Sequence, residues 1–98
     1  MNRYDTRLGL YIDGAWISGG RDTHRVLNPA SGETLGELPL ATPADLDHAL
    51  DAVARGYREW RAASIDTRAN VLAGAARLLR ERAEQIATIA TLEQGKVI

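Results

Sequence analysis

The sequence predicts an α+β fragment in which two N-terminal β-hairpins are followed by two or three α-helices. Three observations support this prediction. Asp13-Gly14 separates two short strand-favouring runs, residues 28–32 form a turn between two further runs, and apolar residues recur every three or four positions from residue 43 onwards. Strand-favouring runs around turn residues are typical of hairpins, whereas the three-and-four spacing places apolar residues on one face of a helix.

The first hairpin is predicted from LGLYIDGAWI, in which the runs Leu-Tyr-Ile and Ala-Trp-Ile flank Asp13-Gly14. Asp-Gly supplies the positive φ angles of a type I′ turn. The second hairpin is predicted to enter over residues 25–27 and to return over residues 34–38. Pro39 then ends the returning strand or places it at a sheet edge, because proline cannot donate a hydrogen bond to a neighbouring strand.

The first helix is predicted to begin after Thr42, a good N-cap. Pro43 suits the first helical position, and Asp45 follows where a carboxylate can accept from free backbone N–H groups. Asp51 and Arg55 are expected to pair on the polar side, one turn apart. The apolar residues that share the opposite face are Leu46, Ala49, Leu50, Val53, Tyr57 and Trp60.

A second helical pattern extends over residues 67–94, with Ser64 or Asp66 as its cap. It is long for one helix, so we expect a bend or restart near residues 80–82. Gly95 is predicted to lie just past the C-terminus. The apolar stripe of this pattern comprises Leu72, Ala75, Ala76, Leu79, Ala83, Ile86 and Ala90.

Composition excludes several classes of function. The net charge is −1 with both signs interspersed, so neither a nucleic-acid footprint nor an anionic-membrane footprint is present. No cysteine occurs, which excludes disulfides, thiolate metal sites and a cysteine nucleophile within these 98 residues. No run suits a signal peptide or a membrane span, and a cytoplasmic location is expected. Large apolar side chains are few, so we expect apolar surface left over for further chain or another subunit.

Phosphate-binding motifs are imitated but not matched. Gly95-Lys96 resembles the end of a P-loop, but Ala90 and Val97 stand where a glycine and a hydroxyl residue are needed. Gly19-Gly20 lacks a strand–turn–helix context and is predicted to be a loop. The pairing of Glu93 with Lys96 at a helix end is explained by the helix dipole alone.

The sequence evidence for a metal site or a ligand site is equally weak. Asp45 and His48 are three residues apart on a helix, and His24 lies in a strand-like run. A metal site needs three or four converging ligands, so a solvated helix face is the favoured interpretation. Trp16 and Trp60 lie on the apolar sides of their elements and are predicted to pack in a core rather than to stack on a ligand.

Four segments in order resemble the N-terminal region of the aldehyde dehydrogenase superfamily, from about Leu10 to Lys96. They are LYIDGAWI, NPASGETLGELP, ATPADLDHALDAVARGYREWRA with its terminal Trp60, and TRANVLAGAARLLRERAEQIATIATLEQGK. The ending LEQGK, preceded by TRANVL, is similar to succinate-semialdehyde dehydrogenases and to relatives that act on other acid semialdehydes.

The resemblance implies an NAD(P)+-dependent enzyme in which a cysteine thiolate attacks an aldehyde and a thioester is hydrolysed with glutamate as base. Residues 1–98 would be the front of its NAD(P)-binding domain, truncated before the catalytic domain. The complete protein would bind NAD or NADP and form homo-oligomers, and this segment would pack against the remainder of its own polypeptide. We expect no catalytic, cofactor-binding or metal residue within it, although Leu27 and Glu93 match the family's structural-cation positions.

Two alternatives remain open on sequence alone. The chain could be a non-catalytic interaction module that docks on a partner through its helical apolar stripe. It could also be an unrelated α+β domain with chance similarity, in which case the two hairpins would be absent.

Overall fold

The two predicted hairpins are present in the computed structural model, which describes residue 4 and residues 7–95. Strand β1 (Leu10–Ile12) pairs antiparallel with β2 (Ala15–Ile17). Asp13 and Gly14 join them with φ angles of 51° and 75°, the positive values that a type I′ turn requires. The predicted first hairpin is therefore confirmed.

The second hairpin pairs β3 (Thr23–Leu27) with β4 (Thr34–Pro39), and a register shift falls between Val26 and Leu27. The turn closes around Asn28, whose carbonyl accepts from the Gly32 N–H at 2.7 Å and whose side chain accepts from the Ala30 N–H at 2.9 Å. Pro39 is the last residue of β4. The two hairpins form separate two-stranded sheets.

Helix α1 (Pro43–Ala62) begins with the predicted cap. The Thr42 hydroxyl accepts from the Asp45 N–H at 3.2 Å, and the Asp45 carboxylate accepts from the Thr42 N–H at 2.8 Å. This reciprocal capping box satisfies two backbone donors that the helix start would otherwise leave free.

The second helical pattern divides into α2 (Ile65–Glu81) and α3 (Ala83–Gln94). Ser64 is the N-cap of α2, which begins two residues earlier than the periodicity suggested, and its hydroxyl accepts from the Thr67 N–H at 3.1 Å. The predicted restart is confirmed at Arg82, whose φ and ψ of −104° and 13° are not helical. Gly95 ends α3 in the left-handed conformation, with φ 78°.

The chain buries little of its own surface. Its accessible surface is 7823 Å², whereas a compact protein of this mass would expose roughly 5500 Å². Its radius of gyration is 16.9 Å, against about 12.6 Å for a compact domain of this length. Leu35 and Tyr4 are the hydrophobic residues that are buried in the described part of the chain. The expectation of surplus apolar surface is confirmed.

Candidate functional site

The apolar face of α1 is uncovered along its whole length. Spacings of three and four align its side chains as predicted, but Leu46, Leu50 and Val53 are 57%, 57% and 65% exposed. Tyr57 continues the same face and is also exposed. A helix rarely leaves so long a stripe in water, because each exposed leucine forgoes the favourable transfer of its side chain out of water.

Helices α2 and α3 present a second uncovered stripe. Ile65, Leu72 and Leu79 lie on one line of α2 and are 77%, 63% and 60% exposed, and Ile86 of α3 is also exposed. Together the two stripes form a much larger apolar area than a soluble monomer normally shows. These stripes are the candidate functional surface of the chain, and their chemistry is that of a docking interface.

The tryptophans correct the prediction of core packing. Trp16 is 73% exposed and Trp60 is 40% exposed. Trp16 packs on Tyr11 of the opposite strand, with ring centroids 4.9 Å apart and planes tilted by 58°. Each ring lies on the apolar side of its element, but neither ring is buried. The aromatic pair therefore adds to the uncovered surface.

A groove that sequence analysis did not identify runs beneath the first hairpin. It has a volume of about 850 Å³ and is lined by Arg7, Leu8, Gly9, Trp16, Ile17, Ser18 and Leu38. Since residues of both hairpins line it, no local spacing in the sequence could have indicated it. Its lining is mostly apolar, and among the described residues that line it there is no carboxylate or imidazole.

Arg21 links the loop before β3 to the start of α1. Its Nη2 and Nε donate to the two carboxylate oxygens of Asp45 at 2.8 and 3.2 Å, with both side chains largely buried. The Thr42 backbone N–H, the Thr42 hydroxyl and the Arg21 guanidinium all favour the charged carboxylate, so the pKa of Asp45 lies below its ordinary value. Asp45 is therefore structural, and it is engaged away from His48.

Asp13 links the first hairpin to α1. Its carboxylate accepts from Nη2 of Arg55 at 2.9 Å and lies 3.9 Å from Nε2 of His48. The hydrogen bond and the charge of Arg55 lower the pKa of Asp13. The predicted ion pair of Arg55 with Asp51 is thus wrong as a direct contact, because Arg55 reaches the hairpin turn instead.

Glu93 is also engaged. The Tyr4 hydroxyl donates to Oε1 of Glu93 at 2.6 Å, and burial, that hydrogen bond and the nearby carboxylate together raise the pKa of Tyr4 to about 12. A Cβ at Gly95 would lie 3.3 Å from Cγ of Pro29, so the end of α3 contacts the turn of the second hairpin. Leu27, at the end of β3, is 46% exposed. The structural-cation role suggested for Leu27 and Glu93 remains a prediction.

The histidine and carboxylate side chains in the described part of the chain are dispersed. Among residues 4 and 7–95, no three His, Asp or Glu side chains converge as metal ligands. His24 lies in β3 opposite Leu38, on a different element from Asp13 and His48. Lys96 lies outside the described residues. No helix in the described part of the chain has the length and apolar character to cross a membrane.

Comparison with known proteins identifies the class. The aldehyde dehydrogenase family model matches residues 16–98, most of the chain, so the chain belongs to the aldehyde dehydrogenase family. Malonate-semialdehyde dehydrogenase of Listeria monocytogenes is 38% identical over 91 residues, which are 92% of this chain and 19% of that protein.

A second relative points the same way. Malonate-semialdehyde dehydrogenase 1 of Bacillus licheniformis is 37% identical over 89 residues, 90% of this chain and 18% of that protein. The chain thus spans about a fifth of the length of the curated relatives that it matches. The names of both relatives specify an acid semialdehyde, as the LEQGK ending suggested, but it is malonate rather than succinate semialdehyde. The chance-similarity alternative is excluded.

Proposed function

We propose that the complete protein is an NAD(P)+-dependent aldehyde dehydrogenase that oxidises a short acid semialdehyde, with malonate semialdehyde as its first candidate substrate. The similarity to two malonate-semialdehyde dehydrogenases over nine-tenths of this chain carries the proposal. Succinate semialdehyde, which differs by one methylene, is the competing substrate. The proposal includes a homo-oligomer in the cytoplasm, as the family resemblance implies.

Within this enzyme, residues 1–98 would be a structural part of the NAD(P)-binding domain. The described residues do not fit a dinucleotide by themselves. Gly19 and Gly20 have positive φ angles in the loop between the hairpins, and a strand rather than a helix follows them. A dinucleotide pyrophosphate is ordinarily bound at a helix N-terminus after a glycine-rich turn. We therefore assign cofactor binding and catalysis to other parts of the polypeptide.

The test uses the complete polypeptide. Malonate semialdehyde and succinate semialdehyde are each supplied with NAD+ or NADP+, and the absorbance of reduced nicotinamide is followed. We expect the highest kcat/KM with malonate semialdehyde and a much lower value with propanal, which lacks the carboxylate. A hydrophobic site separates substrates that differ by one methylene only about 10- to 200-fold, so both semialdehydes should react measurably.

Two outcomes would contradict the proposal. If no nicotinamide is reduced with any aldehyde, the assignment as a dehydrogenase fails. If propanal matches malonate semialdehyde in kcat/KM, the acid-semialdehyde class fails while the dehydrogenase remains. The 98-residue segment alone should show no turnover, because it contains no cysteine to form a thioester.

The exposed stripes support a second candidate, a non-catalytic module that docks on a partner protein. The natural gene separates the two candidates. An open frame that continues past codon 98 and encodes a cysteine and a glutamate in the family context supports the enzyme. A stop codon at that point supports the docking module.

A further inference from the structure

Arg68 is the one described residue with a fully buried side-chain nitrogen that lacks a hydrogen-bond partner. Its guanidinium forms no hydrogen bond or ion pair, whereas Arg21, Arg55 and Arg77 all bind carboxylates. Arginine stays protonated at any physiological pH, so it cannot relieve this situation by losing its charge. A buried donor without an acceptor is unfavourable, and proteins rarely leave one in place.

The surroundings of Arg68 are apolar and uncovered. Ile65 and Leu72 lie three and four residues away on the same face of α2, with Val71 beside them, and all three are more than half exposed. Leu79 extends the line by two further turns. This face therefore combines an aliphatic strip with a cation whose Nε–H has no acceptor, and such a combination is typical of one side of an interface.

We propose that this face of α2 docks a segment of the same polypeptide from outside residues 1–98, and that the segment places a carboxylate against Arg68. The inference rests on the proposed function, because it assumes a protein of the length of the relatives, of which this chain spans 19%. The surface excess, roughly 2300 Å² from the values given above, is also far more than a small peptide could cover.

Charge argues against a second copy that is docked with its two-fold axis at Arg68. In a two-fold interface a residue meets its own copy only near the symmetry axis, so an axis that passes close to Arg68 would bring two Arg68 guanidinium groups together. Like charges brought together in an apolar contact are strongly disfavoured. A carboxylate bound to the planar guanidinium instead satisfies both the charge and the free donors at once.

The first test compares Arg68→Gln, Arg68→Lys and the control Arg58→Gln in the complete protein, by thermal unfolding from about pH 5 to about pH 8. Loss of the guanidinium would leave a partly buried carboxylate, whose pKa would rise because burial disfavours its charge. A group with a raised folded-state pKa stabilises at low pH and loses that contribution as the pH rises through it. We expect the Tm deficit of Arg68→Gln to grow with pH to roughly 3–6 °C, with little pH dependence for Arg68→Lys.

The second test uses the wild-type protein and therefore does not require any variant to fold. The complete wild-type protein is made with photo-leucine, as a mixture of chains with and without heavy isotopes, and cross-linked. Cross-links from positions 72 and 79 to residues beyond 98 of the same chain support the proposal. Links between light and heavy chains would indicate a second copy, and a lack of links would indicate an open face.

Three results overturn the inference: links between chains, no links, or a Tm deficit of Arg68→Gln that is equal at every pH. The last would mean that a neutral carbonyl rather than a carboxylate meets Arg68. Neither test measures turnover, so a protein that fails to oxidise semialdehydes can still pass both, and the two proposals fail separately.

Discussion

Residues 1–98 expressed alone would expose both apolar stripes to water, and the structure sets the scale of the effect. The segment exposes 7823 Å², roughly 2300 Å² more than a compact protein of its mass. Stable protein interfaces bury about 1200–2000 Å² in total, and obligate ones more. The segment therefore carries as much uncovered surface as an obligate interface, and we expect it to self-associate and to lack a cooperative core.

The assay is sedimentation velocity over a range of concentrations, with thermal circular dichroism and binding of a hydrophobic dye on the same samples. We expect a sedimentation coefficient that rises with concentration, a broad thermal transition and strong dye binding. Leu72→Glu should weaken association, because it places a charge in the exposed stripe of α2. Asn70→Glu adds the same charge at an exposed polar position and should change little.

One result would refute this reasoning. A monodisperse monomer with a sharp thermal transition and no dye binding would show that the segment is a finished domain. The two stripes would then be ordinary surface, and the argument from surface area would be wrong.

Three further predictions concern local structure and are measured on the complete protein. Gly95→Ala should lower the free energy of unfolding in urea by about 1–2 kcal/mol, because a Cβ is disfavoured in the left-handed conformation. Gly74→Ala should raise the free energy of unfolding by about 0.5–1 kcal/mol, because Gly74 is helical and has open space around it. Ser64→Ala should lower it by about 1 kcal/mol through loss of the α2 cap, and Ser64→Asp should restore it. One tyrosine should titrate near pH 12 when followed by ultraviolet absorbance, and Tyr4→Phe should abolish that step. Because the folded-state pKa of Tyr4 is raised, the stability that its hydrogen bond to Glu93 contributes is lost between about pH 10 and 12. Equal effects of the two glycine variants, an unchanged midpoint for Ser64→Ala, or a late titration that persists without Tyr4 would each contradict its prediction.

Local features could be predicted from the sequence because each depends on residues within one turn of each other. Asp13-Gly14 adopts the expected positive φ angles, and Thr42 and Asp45 form the expected capping box. The restart near Arg82 was also predictable, although no glycine or proline marks it, since a pattern of that length seldom continues as one helix.

Contacts between distant residues could not be predicted in the same way. Arg55 binds Asp13, 42 residues away, although Asp51 is one turn away on the same helix. Tyr4 and Glu93 are separated by 89 residues. The spacing of apolar residues predicts which face of its own helix or strand a side chain occupies, but it does not predict which other element packs against that face. For this reason the exposure of Trp16 could not be predicted either.

Backbone hydrogen bonding at the hairpins has a further consequence. Because each sheet has two strands, every strand in the described part of the chain has one side whose N–H and C=O groups face no neighbouring strand. Such open edges can template the addition of strands from other molecules. Pro39 protects only the end of β4, because it lacks a donor. Residues 1–98 as a free segment would thus be a candidate seed for fibrillar β-structure, which thioflavin fluorescence would detect.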